Sequence, residues 1–412
     1  MECSVPIPAH DIASSAAPVP IPTDLEVALL TGCQDRHYAF GLSMALVSKG
    51  ISLDVIGSDE IDSPELHTTC NLHFLNLRGS QRENTGFAKK AWKLLTYYVR
   101  LIRYTASARP KIFHILWNSK LEYFDRTFLT LYYKVQGKKI VLTAHNINAG
   151  KRDSNDSWFN RITLKIQYQL VDHIFVHTEK MKADLLKDFG VRERRVTVIP
   201  FGINNSLPHT ELSLAQAKQR LGVADGEKAL LFLGGIKPYK GLEYLLTAFR
   251  MLVSRDAHYR LIIAGELKKG HEGYSGQICR TIDSEFSPGQ IILKLEFIPD
   301  DEMEIYAKAA DVLVLPYKDI FQSGLLFLGY SFGLPVVATD VGSFREEIIE
   351  GTTGFLCKPS DPADLAKTIE TYFQSDLYKQ LPQRRLEIQN YGCNQHSWDT
   401  VGELTRNVYS GL

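Results

Sequence analysis

At 412 residues the chain is too long for one compact core, and two domains of roughly 150 to 200 residues are expected. Hydrophobic residues at 44% and charged residues at 23% are the proportions of a soluble globular protein, and no apolar run approaches the roughly twenty residues that would span a bilayer. The formal net charge of zero hides an asymmetry: residues 24–202 carry 26 Lys/Arg against 18 Asp/Glu, and residues 203–412 carry 21 against 27. A basic N-terminal half can face a membrane surface, a nucleic acid or an acidic polymer, or simply be a solvated surface with no partner.

The six cysteines, at positions 3, 33, 70, 279, 357 and 393, are too widely spread for a metal knuckle or a small disulfide scaffold, so free thiols in a reducing compartment are expected. Residues 1–23, rich in Pro, Ala and Ser and without a secretory pattern, read as a disordered leader. From Leu25 the chain alternates. A strand at 25–30, a loop at 31–37, a helix at 38–49 and a strand at 52–57 form a βαβ unit. The loop TGCQDRH lies where open α/β sheets bind ligands, making Asp35, Arg36 and His37 candidate ligand-binding residues. It lacks three spaced glycines, which disfavours a nicotinamide dehydrogenase.

Between Asn84 and Lys111 there is no acidic residue, and Lys89, Lys90 and Lys93 alternate with Phe87, Trp92 and further apolar residues. This predicts a basic amphipathic helix suited to lying on an anionic leaflet; the plainer reading is a helix packed on the sheet with its basic face in water. Strands at 112–117, 139–145, 173–178 and 195–200 follow, separated by helices at 121–135, 158–170 and 179–189. Seven short strands are expected in this domain, six of them located by pattern. His145 stands at a strand's carboxyl end, the functional edge of such a sheet.

The segment 201–212 breaks the alternation with Gly, Asn, Ser and Pro and reads as the domain linker. A second series follows, with strands at 229–234, 260–265, 291–299, 312–317 and 335–340 and helices at 213–221, 242–255, 276–286, 300–309 and 324–332. Two facing doubly wound sheets imply a cleft. Within it, LLFLGGIKPYKGLEYLLTAFR at 230–250 is a strand, a turn with Gly234, Gly235, Lys237 and Lys240, and a helix, an arrangement that binds anions. The loop around Glu266, the segment at Ile298, and Gln322-Ser323-Gly324 at another helix start are further candidates. Two anion sites in one domain point to a diphosphate. An ordinary strand-to-helix turn with solvated lysines, and a plain N-cap at Ser323, are the uneventful alternatives.

The run LLFLGGIKPYKGLEYLLTAF together with 310–356, LTAHNI, VTVIPFGI and the tail HSWDTVGELTRNVY resembles family 4 of the retaining glycosyltransferases, over residues 24–409. The resemblance implies a GT-B fold: an N-terminal acceptor-binding domain at 24–202, a C-terminal nucleotide-sugar-binding domain at 203–390, and a last segment, 391–412, crossing back. It assigns Lys240 to the donor diphosphate, His145 to the transferred sugar and the Ile298 backbone to the base. The family's arginine is replaced by Gly235, and Lys237 is the residue that would restore the charge. The two acidic positions of the family's Glu, seven residues, Glu pattern fall on Ile320 and Leu328, so their contacts pass to Gln322 and Ser323.

The expected reaction is retaining transfer of a sugar from a nucleotide diphosphate to a glycan or lipid-linked hydroxyl of an envelope or exopolysaccharide precursor. His145 and Lys240 are its catalytic candidates, and neither a metal nor another cofactor is expected, since no Asp-x-Asp pair or His/Cys cluster is present. The protein is expected in the cytoplasm, at the inner face of the membrane, without nucleic acid. A nucleotide-sugar epimerase and a catalytically impaired nucleotide-sugar-binding protein remain open.

Overall fold

The computed structural model describes residues 25–81, 86–152, 156–203, 210–267 and 270–412. The expected leader, the first residues of the basic stretch and 204–209 of the linker lie outside them. Thirteen strands among the described residues form two all-parallel sheets. The first comprises β1 (Glu26–Leu30), β2 (Ser52–Gly57), β3 (Leu72–Asn76), β4 (Ile112–Ile115), β5 (Lys139–Thr143), β6 (His173–Val176) and β7 (Val196–Val198) in the order β3-β2-β1-β4-β5-β6-β7. The second comprises β8 (Lys228–Leu233), β9 (Tyr259–Ala264), β10 (Ile291–Lys294), β11 (Val312–Leu315), β12 (Val336–Thr339) and β13 (Gly354–Cys357) in the order β10-β9-β8-β11-β12-β13. The central strands are buried and largely apolar because helices cover both faces of each sheet. This is the two-domain GT-B architecture.

Each sheet reverses its strand order at one point, between β1 and β4 and between β8 and β11. The loops 31–37 and 234–241 leave the sheets at those switch points, where α/β sheets open a crevice. On one face of the first sheet lie the helices Phe87–Ser107, Trp158–Leu170 and Glu179–Phe189; on the other lie Arg36–Ser48 and the last helix, Trp398–Ser410. That last helix returns from the second domain and is pinned by His114, whose Nδ1 is 2.5 Å from the Tyr409 hydroxyl while its Nε2 meets Thr143 Oγ1 at 2.7 Å.

Several expected bounds are corrected. β3 and β13 add to the strands located by pattern: β3 is a half-exposed edge strand, and β13 holds only four residues. The strand expected over 291–299 ends at Lys294, since β10 is an edge strand paired only with β9. The first helix starts at Arg36, because the Asp35 side chain accepts from Tyr38 N at 3.0 Å and caps it. The helix expected from Gly276 begins at Glu272, and the one expected over 121–135 is interrupted by a π-turn at Asp125–Leu129.

Candidate active site between the two sheets

The loop after β8 is held by glycines against the loops after β11 and β9. Gly241 has φ +66°, and a Cβ there would lie 2.1 Å from Pro316 O; one at Gly265 would lie 2.3 Å from Gly234 O. Only glycine permits these approaches. The short turn Pro238–Lys240 therefore sits tightly on β11, and Lys240 is buried beneath the cleft with its Nζ 5.6 Å from the Tyr317 ring centroid. A Cβ at Gly234 would stand 3.1 Å from that Nζ, so glycine there makes room for the cation.

The cleft has a volume of about 340 Å³. Its second-domain wall is formed by Tyr239, Lys240, Gln322, Ser323 and Gly324, and its first-domain wall by Asp35, His37, Tyr38, Asn146 and Arg152. The helix Gly324–Ser331 points its start into this space, and the Ser323 side chain makes no capping bond to it, so the plain N-cap reading fails. First-turn N–H groups and the helix dipole thus face the cleft. Ile320 and Leu328, both buried, also line it, giving an apolar patch where the family resemblance would place acids.

The remaining expected residues fall in different places. Lys237 and Gly235 do not line the cleft; the Lys237 Nζ lies 5.8 Å from the Tyr239 ring centroid. The cation that does reach the cleft beside Lys240 is Arg152, whose guanidinium carbon lies 4.5 Å from that same ring centroid, across the domain boundary. Glu266 contributes its carbonyl to Ile236 N at 2.9 Å, and Ile298 is buried; neither lines the cleft. Arg36 and His37 approach Asp300 of the second domain at 3.9 and 3.3 Å, a clasp across the cleft mouth. Lys89, Lys90, Trp92 and Lys93 lie on the outward helix Phe87–Ser107, away from the cleft.

His145 follows β5 as expected, but it is Asn146 that lines the cleft. The imidazole is stacked on Trp117, with centroids 4.1 Å apart, and Tyr38 packs edge-on against it at 4.6 Å. Its tautomer follows from its neighbours. His177 Nδ1 donates to Ile199 O at 3.2 Å, leaving His177 Nε2 as the acceptor for His145 Nδ1–H at 3.0 Å. His145 Nε2 is then a lone pair, buried and without a hydrogen-bond partner among the described residues. It is an acceptor for a hydroxyl rather than a donor to phosphate.

Burial holds these rings neutral. His114 is pushed down to about 3 and His177 to about 4, both chiefly by burial, and burial followed by His177 holds His145 well below the ordinary imidazole value. A histidine depressed in the folded state binds its proton more readily when unfolded, so its contribution is complete above about pH 6.5 and is lost as pH falls towards 4. Between pH 7 and 5.5 each such ring is expected to cost about 1 kcal/mol of stability. Calorimetry across that range should show a falling transition temperature, less steep for His114→Gln; a flat profile would contradict the neutral buried assignment.

Sequence reasoning missed a second buried dyad. Glu347 Oε2 lies 3.0 Å from His396 Nε2, His396 Nδ1 bonds Phe201 O at 3.1 Å, and Gln322 Nε2 approaches Glu347 Oε1 at 3.4 Å. Gln322 is thus tied through Glu347 to the point where the chain crosses back between domains. Trp398, also missed, lines the cleft at that crossing. Only the tertiary return of the tail brings either to the site, so local pattern carried no signal. Among the described residues there is no group of three His, Cys, Asp or Glu side chains placed to hold a metal.

Residues 36–207 match the model of the family described as Glycosyltransferase Family 4, and residues 215–392 match that of Glycosyl transferases group 1. The D-inositol 3-phosphate glycosyltransferase of Corynebacterium efficiens is 30% identical over 254 residues, 58% of this chain and 58% of that protein. Its counterpart in Corynebacterium diphtheriae is 29% identical over 285 residues, 66% of this chain and 64% of that one. The chain spans about three fifths of the length of these curated relatives. Among solved structures, the sucrose-phosphate synthase from Thermosynechococcus elongatus aligns with a TM-score of 0.74 at 17% identity, covering 94% of this chain and 100% of that one. Anabaena HepE in complex with UDP and glucose aligns with a TM-score of 0.72 at 15% identity, covering 94% and 99%. The two family matches fall one on each sheet, in chain order, on either side of the cleft. The chain belongs to the glycosyltransferases of the group 1 and family 4 type, built on the GT-B fold.

Proposed function

We propose that the protein is a retaining, metal-independent glycosyltransferase that moves a sugar from a nucleotide diphosphate to a hydroxyl of a glycan or lipid-linked precursor of envelope polysaccharide. One observation carries this reading. Lys240, Arg152 and the uncapped start of Gly324–Ser331 converge on a single cleft at the switch points of both sheets. As the anomeric bond breaks, negative charge grows on the leaving diphosphate, and fixed cations and N–H dipoles stabilise it there. Donor contacts fall to Lys240, Gln322, Ser323 and Gly324, which line the cleft, with Gly234, Gly235, Lys237, Glu266 and the Ile298 backbone in the surrounding loops. The neutral His145 acts towards a sugar or acceptor hydroxyl once Tyr38 gives way. Retention at the anomeric carbon rests on family resemblance alone.

Asp35, Arg36 and His37 face the acceptor side, and the name of the corynebacterial relatives makes a phosphorylated polyol worth including among acceptors. The protein is placed at the cytoplasmic face of the membrane, with Lys89, Lys90, Trp92 and Lys93 towards anionic lipid. Among the described residues no helix is long and apolar enough to cross a membrane.

A thermal-shift panel of nucleoside diphosphates and their sugars tests the donor site. A cognate ligand at 100 times its dissociation constant is expected to add about 2.7 kcal/mol of stability. No shift across the panel would refute the reading. The apolar positions Ile320 and Leu328 favour one rival, a binding protein without catalysis; it would bind the donor and release no diphosphate with any acceptor.

A further inference from the structure

The outer surface of the first domain is apolar to an unusual degree. Of the eighteen exposed large hydrophobic residues among those described, fourteen lie between Phe87 and Ile166. They fall on neighbouring helical segments that cover one face of the first sheet, and each segment carries two apolar stripes. The helix Phe87–Ser107 buries Tyr97, Tyr98 and Leu101 against the sheet, yet turns Leu95, Val99 and Ile102 outward at helical spacing. The segment 122–135 buries Leu129 and Tyr133 and exposes Phe128, Leu131 and Val135, spaced i, i+3, i+7. The helix Trp158–Leu170 buries Leu164 and Tyr168 and exposes Phe159, Ile162 and Ile166 at that same spacing. A stripe facing the core is what each helix needs to fold; a second one facing water has no folding purpose and marks an interaction face.

The segments adjoin. Tyr132 donates its hydroxyl to Ile102 O at 3.2 Å, and the Tyr123 and Phe159 rings meet at 4.9 Å. The face is therefore continuous, with the 75%-exposed Val135 and the 73%-exposed Trp158 among its most open side chains. Its charge identifies the partner. Residues 87–171 contain 16 Lys/Arg and only 4 Asp/Glu in a chain whose total is balanced. Cations such as Lys89, Lys90, Arg103, Lys120 and Lys165 surround the apolar stripes and are exposed. A second copy seated on this face would bring two strongly cationic surfaces together, which is repulsive. Apolar side chains among lysines and arginines match a bilayer rich in anionic lipid, where rings enter the headgroup zone and cations meet phosphates.

We propose that this whole three-segment face docks on an anionic bilayer, so that the contact is shared by 122–135 and Trp158–Leu170 and is not confined to the basic helix. A pocket of about 530 Å³ lined by Lys120, Leu121, Tyr123, Ala149 and Gly150 opens at its edge. Ala149 and Gly150 lie within the segment 146–152, whose ends, Asn146 and Arg152, line the cleft. Docking thus sets the acceptor side of the cleft beside the membrane surface. This deepens the proposed glycosyl transfer by assigning it an acceptor held in a bilayer.

The test is co-sedimentation of the full chain with phosphatidylcholine vesicles and with vesicles also containing phosphatidylglycerol. Binding is expected only with the anionic lipid, and to weaken at least tenfold in Val135→Ser/Trp158→Ser, which leaves the basic helix intact. Lys89→Glu/Lys90→Glu is expected to weaken it as well. Wild-type binding unaffected by Val135→Ser/Trp158→Ser, with melting temperatures unchanged, overturns the shared face. So does absence of binding to either vesicle, or a wild-type dimer that those same substitutions dissociate. Nucleoside-diphosphate binding is measured in parallel: its absence alone defeats the transferase reading while leaving the docking result standing.

Discussion

Lys240→Ala is expected to lower the turnover of sugar transfer by two orders of magnitude or more. The side chain is buried under the cleft, its Nζ fits over the Cβ-less Gly234, and the tight Gly241 turn fixes it relative to β11. Such a cation is oriented before the reaction begins and needs no reorganisation as charge develops on the leaving diphosphate. One donor of this kind is worth about 3 kcal/mol in the transition state, and each 1.36 kcal/mol is tenfold in rate. Folding stability is a separate effect, because removing a buried cation relieves its desolvation but also leaves its partners unpaired. Turnover measured at saturating donor, beside a melting curve, separates the two effects. A variant with wild-type turnover would remove Lys240 from the mechanism. Arginine should rescue poorly, since its rigid planar fork does not reproduce the compact point charge of the lysine ammonium.

Much of this site was legible in the sequence because it lies where strands turn into helices. The unbroken apolar run of β8, the glycines after it and the polar start at Ser323-Gly324 each have a local physical meaning. β3 escaped because LHFLN is an edge strand with mixed exposure and no clean alternation. Arg152 escaped for another reason: it reaches the cleft from the opposite domain, over the Tyr239 ring, and nothing in its own stretch says so. Lys237 looked like the natural replacement for a missing arginine because it is near in sequence, but the turn carries it out of the cleft. The basic helix was recognised, whereas its outward stripe was not separable from its inward one. A helix apolar on two sides reads simply as apolar until packing shows which side the sheet has taken.

Trp398→Ala is expected to destabilise the protein by about 3 kcal/mol and to reduce transfer as well. The indole sits where the chain returns to the first domain. A Cβ on Gly41 would fall 2.2 Å from the ring, and one on Gly202 2.4 Å, so both glycines lie flat against it. Its Nε1 donates to Ile203 O at 2.9 Å, and Tyr38 packs on it in a T-shaped arrangement at 5.2 Å between centroids. Alanine would leave a cavity between the helix Arg36–Ser48 and the linker, lose that hydrogen bond and loosen Tyr38, the residue that covers His145. Because unfolding of two domains need not be two-state, the transition temperature and its breadth are the appropriate readout. A double-mutant cycle makes the claim specific. Gly41→Ala should be strongly destabilising in the wild type, where its new methyl meets the indole, and far milder beside Trp398→Ala, where the obstacle is gone. Equal costs in the two backgrounds would mean that Trp398 does not clamp the return of the tail.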